Sequence, residues 1–215
     1  MKAKQLAIIF SKFKKFEKPK LELEQYTIPD ELAAKILVLA ALKGDVKGKK
    51  VFDLGCGTGK LGIGAAILGA KKVVCIDVDE DVIRIARENV KIAENLTGMR
   101  LSSVIEFKRM NVIDLKDYAD TVIQNPPFGI QSQNLDLLFL RQAITHAKRV
   151  YSLHRGPVAR EFLRKYIQSL GADIEEIHQF TFTIPYMFKF HKKPKVEVEV
   201  DLYIISSVMK EKGEE

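Results

Sequence analysis

Cysteine is scarce in this chain: Cys56 and Cys75 are the only two in 215 residues, they stand 19 positions apart, and no Cys-x-x-Cys occurs. A disulfide-built fold is therefore excluded, and the four histidines (His146, His154, His178, His191) make no i, i+4 pair, so no metal centre is expected. No apolar run approaches the ~18 to 20 residues of a membrane span, and the N-terminus has no apolar core followed by a small-residue cleavage site. The expectation is a cytoplasmic protein that does not enter a membrane. Repeats and low-complexity linkers are also missing. What remains, 47% hydrophobic and 29% charged residues with 13 Gly and 7 Pro, is the composition of a folded protein with one core. We expect an N-terminal helical extension over residues 1–45 and one domain over residues 46–215.

The net charge of +7 is unevenly spread. Residues 1–20 carry seven Lys against one Glu, residues 189–195 carry four Lys and a His, and the 168 residues between them are almost neutral. Lys12, Lys14 and Lys15 at one end, and Lys189, His191, Lys192, Lys193 and Lys195 at the other, lie near Phe10, Phe13, Phe16, Phe188 and Phe190. Clustered cations interleaved with aromatic rings suit a polyanion with unpaired bases, such as RNA. Taken alone, the same clusters are equally well read as solvated surface.

Through the centre, short β-rich runs alternate with helical patterns, which is the signature of a mostly parallel sheet with helices on both faces. The pattern predicts seven strands, near residues 50–54, 72–77, 104–109, 119–124, 150–154, 174–183 and 196–208. Helices are expected over 4–16, 30–42, 60–68, 80–96, 135–147 and 157–170. The last two strands are joined by a loop holding Pro185 and the basic run rather than by a helix, so the last strand is expected to be antiparallel.

Three motifs carry chemistry. At the end of the first strand, Asp53-Leu54-Gly55-Cys56-Gly57-Thr58-Gly59 forms a glycine-rich turn into a helix, where a ligand can press against main chain and a helix N-terminus favours negative charge. Its spacing is GxGxG, one residue short of the dinucleotide pattern, and Lys60 is followed by Leu61, so no phosphate-binding GK[ST] is present. Asp77 ends the second strand 22 residues after Gly55, where a carboxylate can accept both hydroxyls of a ribose; Asp79 then serves as a helix cap. Finally, Asn125-Pro126-Pro127-Phe128 ends the fourth strand. Its prolines fix the backbone and leave carbonyls free, Asn125 adds a side-chain acceptor and Phe128 a ring, which together make a clamp for a planar amine. The segment Glu24-Gln25-Tyr26-Thr27 is placed either as a cover over the ligand from the N-terminal side or as a simple junction.

The glycine loop, the acid after the second strand and the NPPF motif resemble class I S-adenosylmethionine-dependent methyltransferases that act on a planar nitrogen. Further segments, Phe16-Glu17-Lys18-Pro19-Lys20, Leu23-Glu24-Gln25-Tyr26, Val150-Tyr151-Ser152-Leu153-His154 and Phe188 to Lys193, are similar to the small enzymes that methylate adenosine N6 in small-subunit ribosomal RNA. The resemblance implies a Rossmann-like fold with S-adenosyl-L-methionine as cofactor. It would be bound by Gln25, Tyr26, Thr27, Asp53, Gly55, Gly57, Thr58, Gly59, Asp77, Asn111 and Val112, with Asn111 where the family usually has Asp. Asn125, Pro126, Pro127 and Phe128 would receive the target adenine. The resemblance also implies two partners, RNA and a small zinc-containing activator protein. A protein glutamine-N5 methyltransferase and a noncatalytic RNA-binding scaffold remain as alternatives, since an amide nitrogen fits the same clamp.

Overall fold

A computed structural model describes residues 1–128, 134–185 and 195–207. Within them a seven-stranded sheet, β1 (Lys50–Leu54), β2 (Lys72–Asp77), β3 (Ile105–Arg109), β4 (Ala119–Gln124), β5 (Ala147–Arg155), β6 (Ala172–Pro185) and β7 (Lys195–Ser207), runs in the order β3-β2-β1-β4-β5-β7-β6. The first five strands pair in parallel and β7 is antiparallel to both neighbours, in agreement with the expectation for the last strand. The order reverses between β1 and β4, so the carboxyl ends of these two strands open a crevice at the point where such folds bind ligands.

Among the described residues six α-helices accompany the sheet: α1 (Ala3–Phe10), α2 (Asp30–Leu42), α3 (Lys60–Ile67), α4 (Glu80–Thr97), α5 (Leu135–His146) and α6 (Arg160–Ser169). Strand residues alternate between two cores. Val51, Val73, Cys75, Ile123, Tyr151 and Leu153 pack with α1, α2 and α3 on one face, while Phe52, Leu54, Val74, Ile76, Val122 and Val150 pack with α5 and α6 on the other. The period of two in a strand divides one run of apolar residues between two layers.

Three boundaries differ from the sequence reading by three residues or more. The first helix was expected to reach Phe16 but stops at Phe10, where Ser11 turns its hydroxyl onto the Ile8 carbonyl and Lys12 and Phe13 donate to the Ile9 and Phe10 carbonyls. These turns take the main-chain bonds that a continuing helix would need. The fifth strand begins at Ala147, directly after α5. Pro157 opens a short 3-10 turn before α6 starts at Arg160. The N-terminal segment also enters the main core, since Leu6, Phe10 and Phe13 are buried beside α2 and α3.

α3 lies tightly against the sheet because Gly62 has no side chain. A Cβ there would stand 2.3 Å from the Cys75 sulfur and 3.2 Å from the Asp53 carboxylate. Gly62→Ala is accordingly expected to cost about 1 to 3 kcal/mol through overpacking. Urea unfolding checks it, and an unchanged midpoint would mean that the helix moves away from the sheet without penalty.

Candidate active site

The carboxyl ends of β1, β2 and β4 surround a cavity of about 220 Å³. The glycine loop forms its floor. Gly55 and Gly57 both have left-handed backbone (φ +68° and +51°), and a Cβ on either would stand 3.0 Å from a ring, Phe139 for Gly55 and Phe16 for Gly57. Only glycine fits both the conformation and the space. Gly59, at the start of α3, provides no side-chain cap, and in the first turn the Gly62 amide is taken instead by the Asp53 carboxylate from β1.

Two carboxylates brace this loop. Asp53, buried on β1, accepts from the Gly62 amide at 2.7 Å, and burial pushes its carboxyl up to about 7 despite that bond, with the nearby Asp77 charge adding to the rise. Asp77 accepts from Gly57 N at 2.9 Å and from Asp79 N at 3.0 Å. Burial raises its pKa too, against the pull of these amides. Asp79 caps α4 by accepting from Asp81 N at 3.1 Å, in agreement with the role assigned from sequence.

The segment between α1 and α2 crosses the mouth of the cavity and is tied down along its length. Asn89 of α4 accepts from Lys14 N at 2.7 Å and donates to the Lys14 and Thr58 carbonyls at 3.1 and 2.9 Å. One side-chain amide thus joins the segment to the glycine loop. Lys20 Nζ and Gln25 Nε2 both donate to Asp79, at 2.8 and 2.7 Å. Burial alone would raise the Asp79 pKa, but these two donors and the Asp81 amide lower it. Lys60, also buried, donates to the Ile28 carbonyl at 2.6 Å and pairs with Asp30 at 2.6 Å. Burial lowers its pKa against the Asp30 charge.

At the far side, Tyr26 donates its hydroxyl to Asn125 Oδ1 at 2.8 Å and lies 3.4 Å from the Pro126 carbonyl oxygen. Its ring sits 5.0 Å from that of Phe128 at 31°, and the Phe128 amide donates to Glu24 Oε2 at 2.7 Å. The acceptors of the NPPF motif therefore face a single donor position at the edge of the cavity.

Among the residues proposed from sequence, Gln25, Tyr26, Thr27, Asp53, Gly55, Gly57, Thr58, Asp77, Asn111, Val112, Asn125 and Pro127 line the cavity. Asn111 caps a 3-10 turn over Val112–Asp114 by accepting from Ile113 N at 3.1 Å. Lys12, Lys14 and Lys15 are exposed, and Lys14 pairs with Glu88 at 2.6 Å. Lys189, His191, Lys192 and Lys193 lie outside the described residues, and Lys195 begins β7. Sequence reasoning did not single out Asn89, Lys60 or Phe139 as site residues. Asn89 left a signal, since it is the one polar residue among the buried positions Val82, Ile85, Ala86, Asn89, Val90 and Ala93 of α4. His154, at the end of β5, is buried, hydrogen-bonds Ser152 at 2.8 Å and is held near pH 4 by burial against the Asp201 charge.

Fold and site together define a class I S-adenosylmethionine-dependent methyltransferase. A family model described as ribosomal protein L11 methyltransferase matches residues 35–125. The zebrafish (Danio rerio) protein named rRNA N(6)-adenosine-methyltransferase METTL5 is 38% identical, covering 94% of this chain and 97% of its own. The Drosophila melanogaster protein of the same name is 35% identical, covering 87% of this chain and 88% of its own. The crystal structure of a candidate RNA methyltransferase from Pyrococcus horikoshii is 37% identical with a TM-score of 0.87, covering 97% of this chain and 99% of that one. The chain belongs to the rRNA N6-adenosine-methyltransferase family.

The Asp53 carboxyl makes stability depend on pH. In the unfolded chain it ionises near pH 4, whereas in the fold it holds its proton to about pH 7. Its contribution is full below about pH 4 and is lost as pH rises through about 7. Asp53→Asn keeps an acceptor for Gly62 and removes that loss, so its urea midpoint should exceed the wild-type value at pH 8 and converge with it toward pH 4. Parallel midpoints across that range would show that Asp53 ionises normally in the fold.

Proposed function

We infer that the protein transfers a methyl group from S-adenosylmethionine to N6 of an adenosine in RNA, and that the RNA is that of the small ribosomal subunit. The observation that carries this reading is the pair of acceptors, Asn125 Oδ1 and Pro126 O, converging on one donor position beside Phe128 at the rim of the glycine-loop cavity. Family membership supports the same reaction, and it does not favour transfer to a protein glutamine.

The residues present fit the cofactor. Gly55 and Gly57 leave main chain open to a ligand where any Cβ would meet a ring. Asp77 would accept from ribose hydroxyls, and Asn111 and Val112 would border the cofactor's adenine. When bound, the cofactor supplies an electrophilic methyl on a sulfonium. Asn125 and Pro126 would accept the two hydrogens of the target amine and so aim its nitrogen, while Phe128 would stack on the base. The amine lone pair is delocalised into the ring, and it becomes available as the nitrogen turns pyramidal and gains positive charge. Two fixed oxygens favour that charge over the neutral ground state, so the reaction needs alignment and electrostatics and no covalent intermediate.

Lys12 and Lys15, together with Lys189, His191, Lys192, Lys193 and Lys195, are proposed to hold RNA phosphates. Lys14 would take part less because Glu88 already pairs with it. A cytoplasmic site of action and a small zinc-containing activator belong to the same reading, and assaying the chain with and without such a protein decides the second.

Asn125→Ala should lower single-turnover transfer to small-subunit ribosomal RNA about a hundredfold, which corresponds to ~3 kcal/mol of transition-state stabilisation. Nucleoside mass spectrometry of the wild-type reaction should give N6-methyladenosine. A wild-type rate in the variant, or another product, would refute the assignment.

Neutralising Lys12, Lys15, Lys189, Lys192 and Lys193 should weaken RNA binding and reduce the log-log salt slope by roughly 0.7 to 0.9 for each phosphate that is no longer neutralised. An unchanged slope would leave these lysines as solvated surface. Point substitutions are needed because truncation would remove the buried Leu6 and Phe10.

A further inference from the structure

Every feature that the proposed function assigns to the target adenine is taken, in this structure, by one side chain of the protein. Tyr26 donates to Asn125 Oδ1 at 2.8 Å, approaches the Pro126 oxygen at 3.4 Å and lays its ring 5.0 Å from Phe128. Burial keeps its phenol protonated well above the ordinary tyrosine range, against the Asn125 bond and with the Glu24 charge adding, so the hydroxyl remains a donor. The placement is enforced by its neighbours. Glu24 accepts from the Phe128 amide, Gln25 is tied to Asp79, and the Ile28 carbonyl is bound by Lys60. Glu24 itself has left-handed backbone, φ +49°, a conformation that a non-glycine residue keeps only where its surroundings hold it.

We propose that Tyr26 is a competitive occupant of the acceptor-base site, an aromatic stand-in that an incoming adenine must displace before transfer. The inference rests on reading Asn125 and Pro126 as the amine acceptors. A hydroxyl has one proton and serves one acceptor well, which is the pattern of one short and one long approach seen here. An exocyclic amine has two protons and serves both, so exchange of Tyr26 for adenine gains one hydrogen bond and conserves a ring contact with Phe128. A base that offers a carbonyl at that position gains none and leaves two acceptors facing an acceptor. With residues 24, 25 and 28 pinned, displacement requires rotation of the Tyr26 side chain and leaves the segment over the cofactor cavity in place. Tyr26 thereby satisfies Asn125, stands against the Pro126 oxygen and covers the methyl-donor site until an amine arrives.

The test is equilibrium binding of a labelled small-subunit ribosomal RNA fragment that contains the methylated adenosine, with saturating S-adenosylhomocysteine. Tyr26→Phe should bind about fivefold more tightly, the equivalent of one neutral hydrogen bond no longer broken on entry. In an Asn125→Ala background the same substitution should change little, because the bond is already gone, and this coupling identifies the partner. Under single turnover with saturating cofactor, the RNA concentration giving half the maximal rate should fall by a similar factor. Tyr26→Phe binding RNA equally or more weakly, or gaining equally with and without Asn125, would overturn the proposal and make Tyr26 a fixed part of the base clamp or of the cofactor cover. The binding cycle reads Tyr26 without chemistry, so a wild-type protein that bound the fragment but made no N6-methyladenosine would count against the proposed reaction and not against displacement.

Discussion

The carboxylate of Asp79 joins parts of the chain that have no other reason to meet. It caps α4 and receives Lys20 and Gln25 from the segment that crosses the cavity. Asp77, two residues earlier, uses its own carboxylate on the Asp79 and Gly57 amides. A short acidic turn after β2 therefore fixes the glycine loop, the start of a helix and the cover of the site at once. Two donors from the cover keep Asp79 ionised in spite of burial, and this charge-assisted pairing adds to the buried Phe13 and Ile28 in holding irregular backbone over a ligand site.

Asn89 gives a second, neutral anchor of the same kind. Its amide fills one acceptor and two donor positions with main chain, from Lys14 on one side and Thr58 on the other. Between the two anchors the cover places Phe16 over Gly57, and beyond them it places Tyr26 on Asn125. The cofactor cavity and the acceptor-base position thus share one wall, made of a segment outside the sheet that forms their floor.

The doubly covered sheet makes this arrangement available. Parallel strands deliver their carboxyl ends to one side, and the reversal of order between β1 and β4 leaves that side open where the glycine loop and NPPF motif emerge. The antiparallel β7 lies between β5 and β6, with the buried Asp201 paired to Arg160 at 2.6 Å.

Much of the fold was legible because it follows from local pattern. Short β-rich runs between helical patterns marked the strands, the glycine spacing marked the β1 turn, and the lack of a helical pattern between the last two strands implied an antiparallel neighbour. The residues that line the cavity were legible for a related reason, since strand ends in such a sheet converge wherever they lie in sequence. The tertiary structure alone decided what the N-terminal segment does. Its bonds to Asp79, Asn89 and Asn125 span 54 to 99 residues, and the helix continued to Phe16 in sequence pattern because periodicity cannot register a distant amide competing for the chain. Tyr26 could be placed near a ligand from sequence. That its hydroxyl rests on Asn125 depends on an encounter between loops that no local propensity encodes.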